Sequence, residues 1–188
     1  ILKIDPDEVV SDDLQQEIRD IFPDISEITG SITVPWIFYY KLKPLAGTIW
    51  GGVNEKVLLV NRQRFRFTPH VHRGGQLQAG YHNQKIEYTG ENCLHHYWMN
   101  TFSQLLQKHW RYLKAEGASR IANQSKPWSL KTITVPAREF RQSFIRKEGY
   151  KDGWTGFYLS LFWACYETAA RISAGLHLLR QRRRNEHN

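Results

Sequence analysis

Ile1-Leu2-Lys3-Ile4-Asp5-Pro6-Asp7-Glu8 decides how the rest of the chain is read. Ile1, Leu2 and Ile4 make a short apolar run, which predicts a buried parallel strand. The run stops at Asp5, Asp7 and Glu8. Carboxylates held this close repel one another, so a crowd of them at a strand end needs compensation. A divalent cation supplies it, and carboxylates with no Cys nearby select a hard ion, Mg²⁺ or Mn²⁺. Open α/β sheets bind ligands at the carboxyl ends of their parallel strands, where these acids would stand. The plainer alternative is a solvated acidic turn leading into a helix.

The chain has 188 residues and a formal net charge of +8. That length suits one compact domain or one and a half small ones. The charge favours an acidic partner: phosphates, nucleic acid or an anionic membrane surface. Cys93 and Cys165 lie far apart in sequence and suggest no disulfide framework, so a reducing cytosolic setting is expected. The chain shows no signal peptide and no starting Met, and it opens inside the apparent strand, which predicts a fragment or a processed chain.

Ser11 is a good N-cap, and Asp12 and Asp13 suit the positive end of a helix dipole. Leu14, Ile18 and Ile21 follow at helical spacing, and Pro23 ends the helix near Ile21. Residues 32–42 read as a strand interrupted at Pro35. Gly47, Gly51 and Gly52 surround Trp50 and permit tight turns. Residues 56–60, 64–67 and 85–88 read as strands. Leu94, Trp98, Leu105, Leu106 and Leu113 predict one long helix over 91–116, ending at Gly117. Residues 119–127 read as a loop. Pro136 suits the first turn of another helix, with Gly149 after its end. Residues 154–179 predict a last, aromatic-rich helix followed by the basic run Arg180–Arg184.

Several features then fall in one order. They are Ile4-Asp5-Pro6-Asp7-Glu8, Gly51-Gly52 followed by Val57–Asn61, Val71-His72, His96-Tyr97, Arg111-Tyr112, and the run from Phe144 through Gly149-Tyr150-x-Asp152-Gly153-x-x-Gly156-Phe157. This order resembles the family 2 glycosyltransferases, and most of all the subgroup that adds sugars to lipopolysaccharide core and other cell-envelope glycans. The resemblance covers nearly the whole chain. It implies an α/β chain with a partial GT-A fold that lacks its N-terminal nucleotide-binding half and ends in C-terminal helices. The expected division is 1–120 for the GT-A part and 121–188 for a helical extension. The implied activity is inverting sugar transfer from a nucleotide-diphosphate sugar to a cell-envelope glycan or lipid-linked acceptor. The fragment alone is expected to be inactive. A divalent metal, Mg²⁺ or Mn²⁺, is implied at Asp5 and Asp7.

Sugar transfer needs charge stabilisation on the leaving diphosphate, a base for the acceptor hydroxyl, and alignment of the two. Asp7 is the expected direct metal ligand and Asp5 a metal or ribose contact. Glu8 is expected to orient Asp7 or approach the acceptor. His72 is a candidate third metal ligand, diphosphate contact or general base, and His70 and Arg73 are candidate substrate contacts. Related sequences often carry Glu where this chain has Arg73, which leaves the base open. Trp50 suits stacking on a sugar face or a place in the core. His95 and His96 are expected at the start of the long helix. Arg62, Arg64 and Arg66 alternate with Gln63, Phe65 and Phe67, so on a strand they share one face, to meet phosphate or solvent.

Two other classes compete. A basic nucleic-acid-binding module fits the charge and the Arg-Phe alternation, but the acidic turn would repel phosphate and no recognition motif is present, so no nucleic acid is expected. A metal-dependent hydrolase fits Asp5, Asp7, His70 and His72, but no second ligand cluster is visible. Residues 154–166 carry no charge yet are too short to span a bilayer. Phe157, Leu161, Ile172, Leu176 and Leu179 can share an apolar stripe, and Glu167 and Arg171 can pair at i,i+4. An in-plane helix at the inner face of the cytoplasmic membrane is the expected placement, with anionic headgroups drawing the terminal arginines.

Overall fold

The structure, a computed structural model, describes residues 1–67, 75–122 and 133–185. It is a mixed α/β chain with a mixed sheet and C-terminal helices. Two compact units form: Ile1–Pro44 with Gly52–Trp98, and Leu45–Gly51 with Met99–Asn188. The boundary expected after residue 120 falls inside a helix of the second unit.

In the first unit β1 (Glu8–Val10) leads into α1 (Asp12–Ile21). Ser11 caps α1 as expected, its Oγ accepting the Leu14 N–H at 3.2 Å. Pro23 then tightens the chain into a short 3₁₀ turn, Phe22–Asp24. The sheet is built on β2 (Thr29–Tyr40), which is flanked by β3 (Lys43–Pro44), β4 (Val53–Val60), β7 (His82–Lys85) and β8 (Leu94–Met99). A separate ribbon pairs β5 (Phe65–Arg66) with β6 (Gln76–Leu77). β2 pairs with β7 in parallel and with β4 antiparallel. Pro35 does not interrupt β2. The β7 register ends at Thr33, so the proline, which has no N–H to donate, sits where one neighbour gives way to the next.

The opening residues depart from the expected buried parallel strand. Lys3 N–H donates to Leu58 C=O at 2.7 Å, and Leu2 bridges Leu59 antiparallel. Ile1, Leu2 and Ile4 remain 58, 53 and 41% exposed. After the acidic turn the chain crosses over to pair with β8, Glu8 opposite His96. Ile1–Val10 thus ties β4 to β8, the strands on either flank of β2. The core beneath is Leu14, Ile32, Val34, Leu58, Ile86 and Leu94.

The single helix expected over 91–116 is a strand followed by a helix. Leu94, His96 and Trp98 are buried while Tyr97 is exposed, a period of two that marks a strand rather than a helix. The helix α2 (Phe102–Ala122) starts only after a capping box. Thr101 Oγ1 accepts the Gln104 N–H at 3.2 Å, and Gln104 Oε1 accepts the Asn100 and Thr101 N–H groups at 3.0 and 3.2 Å.

In the second unit α2 and α3 (Val135–Phe140) pack on α4 (Gly153–Asn185). Pro136 occupies the first turn of α3 as expected. α3 runs on through a π turn, Arg141–Arg146, and a 3₁₀ turn, Gly149–Asp152, precedes α4. The glycine-rich run 149–157 is the joint of this unit. Asp152 accepts the N–H groups of Ala46 and Gly47, each at 2.8 Å, and so clamps the 45–51 loop. A Cβ on Gly156 would overlap the Gly149 carbonyl oxygen, and one on Gly47 would overlap that of Glu148. Since the Gly156 clash is with backbone, Gly156→Ala should cost about 1–3 kcal/mol or more. A urea midpoint within error of wild type would show that the joint yields.

Candidate functional site

Asp5-Pro6-Asp7-Glu8 is a β-turn closed by the Glu8 N–H donating to the Asp5 carbonyl at 3.0 Å. Pro6 fits because its fixed φ suits the second position of such a turn. The turn sorts the three acids. Asp5 and Asp7 face solvent, their side chains 61 and 38% exposed, whereas the Glu8 side chain is wholly buried.

A buried carboxylate needs a partner, and β4 supplies Lys56. Its Nζ donates to Glu8 Oε1 and Oε2 at 2.6 and 2.5 Å and to Asp5 Oδ2 at 2.8 Å. Glu8 Oε2 also accepts the Asp5 N–H at 2.8 Å. The Lys56 ammonium holds the Asp5 carboxyl below the ordinary carboxylate range, against the opposing effect of partial burial. The same ammonium sits 5.3 Å from the Trp36 ring centroid, a cation–π contact. Part of the compensation that the acid cluster demands is therefore a lysine.

Asp7 is held from β8. His96 Nε2 lies 3.2 Å from Asp7 Oδ2, and the Tyr97 N–H donates to the Asp7 carbonyl at 2.8 Å. His96 is itself fixed, stacked on Trp36 with ring centroids 5.0 Å apart and planes 6° from parallel. Phe38 packs against both rings. His95 points to the other side of β8. Its Nδ1 lies 2.9 Å from the Tyr39 hydroxyl and 3.7 Å from Cys93 Sγ. Burial raises the pKa of both Tyr39 and Cys93. That disfavours the thiolate, so the geometry gives no activated nucleophile there.

The expected site residues separate into three groups. Asp5, Asp7 and Glu8 share one turn, joined by Lys56, Trp36 and His96. Trp50 lies in the second unit, edge-on to His109 and Trp163 at 6.0 and 5.7 Å, as a packing aromatic. His70, His72 and Arg73 lie outside the described residues. Of the arginine series, Arg64 is half-buried. It donates to the Thr29 carbonyl at 2.9 Å and lies over the Tyr81 ring.

Lys56 and Trp36 carried no signal in the sequence beyond their places on strands. Their i,i+2 neighbours on the same sheet face are core residues: Val34 precedes Trp36, and Leu58 follows Lys56. A lysine one step along a core-facing row is the feature that points to a buried acid.

Two solvent-facing carboxylates on one turn are suitable donors for a hard cation. Among the described residues no group of three His, Cys, Asp or Glu side chains converges to cage a metal. The fit is therefore to an ion that keeps water or takes substrate oxygens, as Mg²⁺ commonly does. No protein-family model, no curated protein and no solved structure matches the chain.

Proposed function

We propose that the chain is the C-terminal part of a GT-A-type glycosyltransferase. It would transfer a sugar, with inversion, from a nucleotide-diphosphate donor to a cell-envelope glycan or lipid-linked acceptor at the cytoplasmic face of the membrane. The observation that carries this reading is the sorted turn: Asp5 and Asp7 outward, Glu8 inward on Lys56. A turn built only for solubility has no need of a buried lysine, a stacked histidine and a tryptophan beneath it.

In this reading Asp7 and Asp5 hold Mg²⁺ or Mn²⁺, which when bound offsets the charge that develops on the leaving diphosphate. Asp7 is the direct ligand, since among the described residues its carboxylate meets His96 alone, through Oδ2. Asp5 shares its charge with Lys56 and serves as the weaker ligand or a ribose contact. Glu8 is a positioning residue: buried and ion-paired, it fixes the turn and touches no substrate. His72 remains the candidate base, with His70 and Arg73 as diphosphate or donor contacts.

The test is sugar transfer from nucleotide-diphosphate sugars by the full-length protein. Transfer should cease on chelation and return with Mn²⁺, and the 188-residue chain alone should not turn over. Chelator-resistant transfer would remove the metal from the reading. Steady turnover by the chain alone would show that the donor site lies within it.

A further inference from the structure

α4 is apolar on two sides. One side packs in the unit through Gly156, Leu159, Ser160, Ala164, Ala170 and Ala174, all buried. The other side is open. Between Trp154 and Leu178 the exposed residues are Trp154, Leu161, Cys165, Ile172 and Leu176, with no charge among them. Trp154 is 79% exposed, and Leu161, Ile172 and Leu176 are 41–47% exposed. At 3.6 residues per turn these five positions fall within about 60° of one another, along about 33 Å of helix. The charged pair of this stretch, Glu167 and Arg171, lies on the packed side, Oε2 to Nε 3.8 Å. A helix that is apolar all round is normally covered all round.

Charge identifies the cover. Basic residues stand beyond both ends of the stripe. Arg146, Lys147 and Lys151 are exposed before Trp154, Lys151 paired with the equally exposed Glu148 at 2.6 Å, which leaves this end positive through Arg146 and Lys147, and the last turns of α4 carry Arg180, Arg182, Arg183 and Arg184. A second copy laid on the stripe in parallel would set arginine cluster against arginine cluster. Laid antiparallel, it would set the arginines against Arg146 and Lys147. Either pairing brings like charges together in an apolar contact. An anionic lipid surface meets an apolar line with positive ends without that conflict, since headgroups neutralise the ends while the acyl boundary takes the side chains. No helix among the described residues is long and apolar enough to cross a membrane.

We infer that the outer face of α4, from Trp154 to Leu176, lies in the plane of an anionic phospholipid surface as the membrane contact of this chain. The inference deepens the membrane placement within the proposed function but needs neither donor nor metal, so failure of sugar transfer would leave it standing. The test is flotation of the full chain with phosphatidylcholine vesicles with and without phosphatidylglycerol at half the lipid. The variant carries Trp154→Ala, Leu161→Gln, Ile172→Gln and Leu176→Gln, all at exposed positions, and circular dichroism and thermal melting check its fold. Wild type should float with the anionic vesicles and release in high salt, and the folded variant should bind at least tenfold more weakly. Should the variant misfold, the single changes Leu161→Gln and Leu176→Gln replace it, each expected to weaken binding. Equal flotation of wild type and folded variant would overturn the inference, as would equal wild-type binding to neutral vesicles. A wild-type dimer in sedimentation that the variant loses, without flotation, would assign the stripe to self-association and overturn it too.

Discussion

Lys56→Met should lose about 3–5 kcal/mol of folding stability, the cost of stranding a buried charge by removing its partner. The Glu8 side chain is wholly buried and the Lys56 side chain 9% exposed, and the ammonium binds both Glu8 oxygens. Without it the carboxylate keeps, among the described residues, the Asp5 N–H. Glu8→Gln should cost less, because Lys56 retains Asp5 at 2.8 Å and a neutral amide is cheaper to bury than a carboxylate. The double variant Glu8→Gln with Lys56→Met should recover much of the single-variant loss, since no charge then remains buried. In wild type the Asp5 carboxyl is held down by Lys56, so its contribution is present above the unfolded carboxylate range and is lost as pH falls through its folded value. Urea titrations from neutral pH down through the unfolded Asp range, about pH 4 and below, read this loss. A Lys56→Met midpoint equal to wild type at neutral pH would mean that Glu8 is solvated in solution and that the turn is not held from beneath.

Local signals in the sequence translated directly into structure. Ser11 with its acids started α1, Pro23 ended it, Pro136 opened α3, and the aromatic run produced α4. Each of these depends on neighbours a few residues away. The misreadings concern long-range pairing. Ile1, Leu2 and Ile4 have the composition of a buried strand, but burial depends on what lies on both faces, and here β4 pairs along one edge while the side chains look outward. Leu94 and Trp98 stand four apart, which suits either a helix turn or two same-side positions on a strand. The Thr101-x-x-Gln104 capping box, which settles where α2 begins, was present in the sequence and outweighs the apolar spacing before it. The acid cluster was rightly read as needing compensation. That Lys56 provides part of it follows only from the pairing of Ile1–Val10 with both β4 and β8, a separation in sequence that no local pattern encodes. The most specific part of the motif order, residues 149–157, forms a structural joint in the second unit.

On the proposed function, Asp7→Ala should lower sugar transfer by the full-length protein by about 10²-fold or more, in the range seen when a preorganised electrostatic group or its support is removed. Asp5→Ala should lower it less. The difference follows from what each carboxylate already does. Asp5 is charge-paired with Lys56, so a cation binding there competes with an ammonium 2.8 Å away and gains less from the carboxylate. Among the described residues the Asp7 carboxylate meets only His96, whose Nε2 donates to it when that nitrogen carries the proton; such a bond orients a metal-ligating carboxylate without consuming its charge. Stability should run the other way from activity. Asp7 is 38% exposed and its partner His96 is buried, so Asp7→Ala should cost about 1 kcal/mol, the net worth of one part-buried hydrogen bond. His96 stays stacked on Trp36 in its absence, and Lys56 stays on Glu8. The pair of measurements is therefore transfer rate at saturating Mn²⁺ and urea midpoint, for both variants. A folded Asp7→Ala protein that transfers sugar as wild type does would remove Asp7 from the metal. Equal losses for Asp5→Ala and Asp7→Ala, with Mn²⁺ affinity reduced alike, would mean that Lys56 withdraws from Asp5 when the ion binds, and that the two carboxylates act as equal ligands.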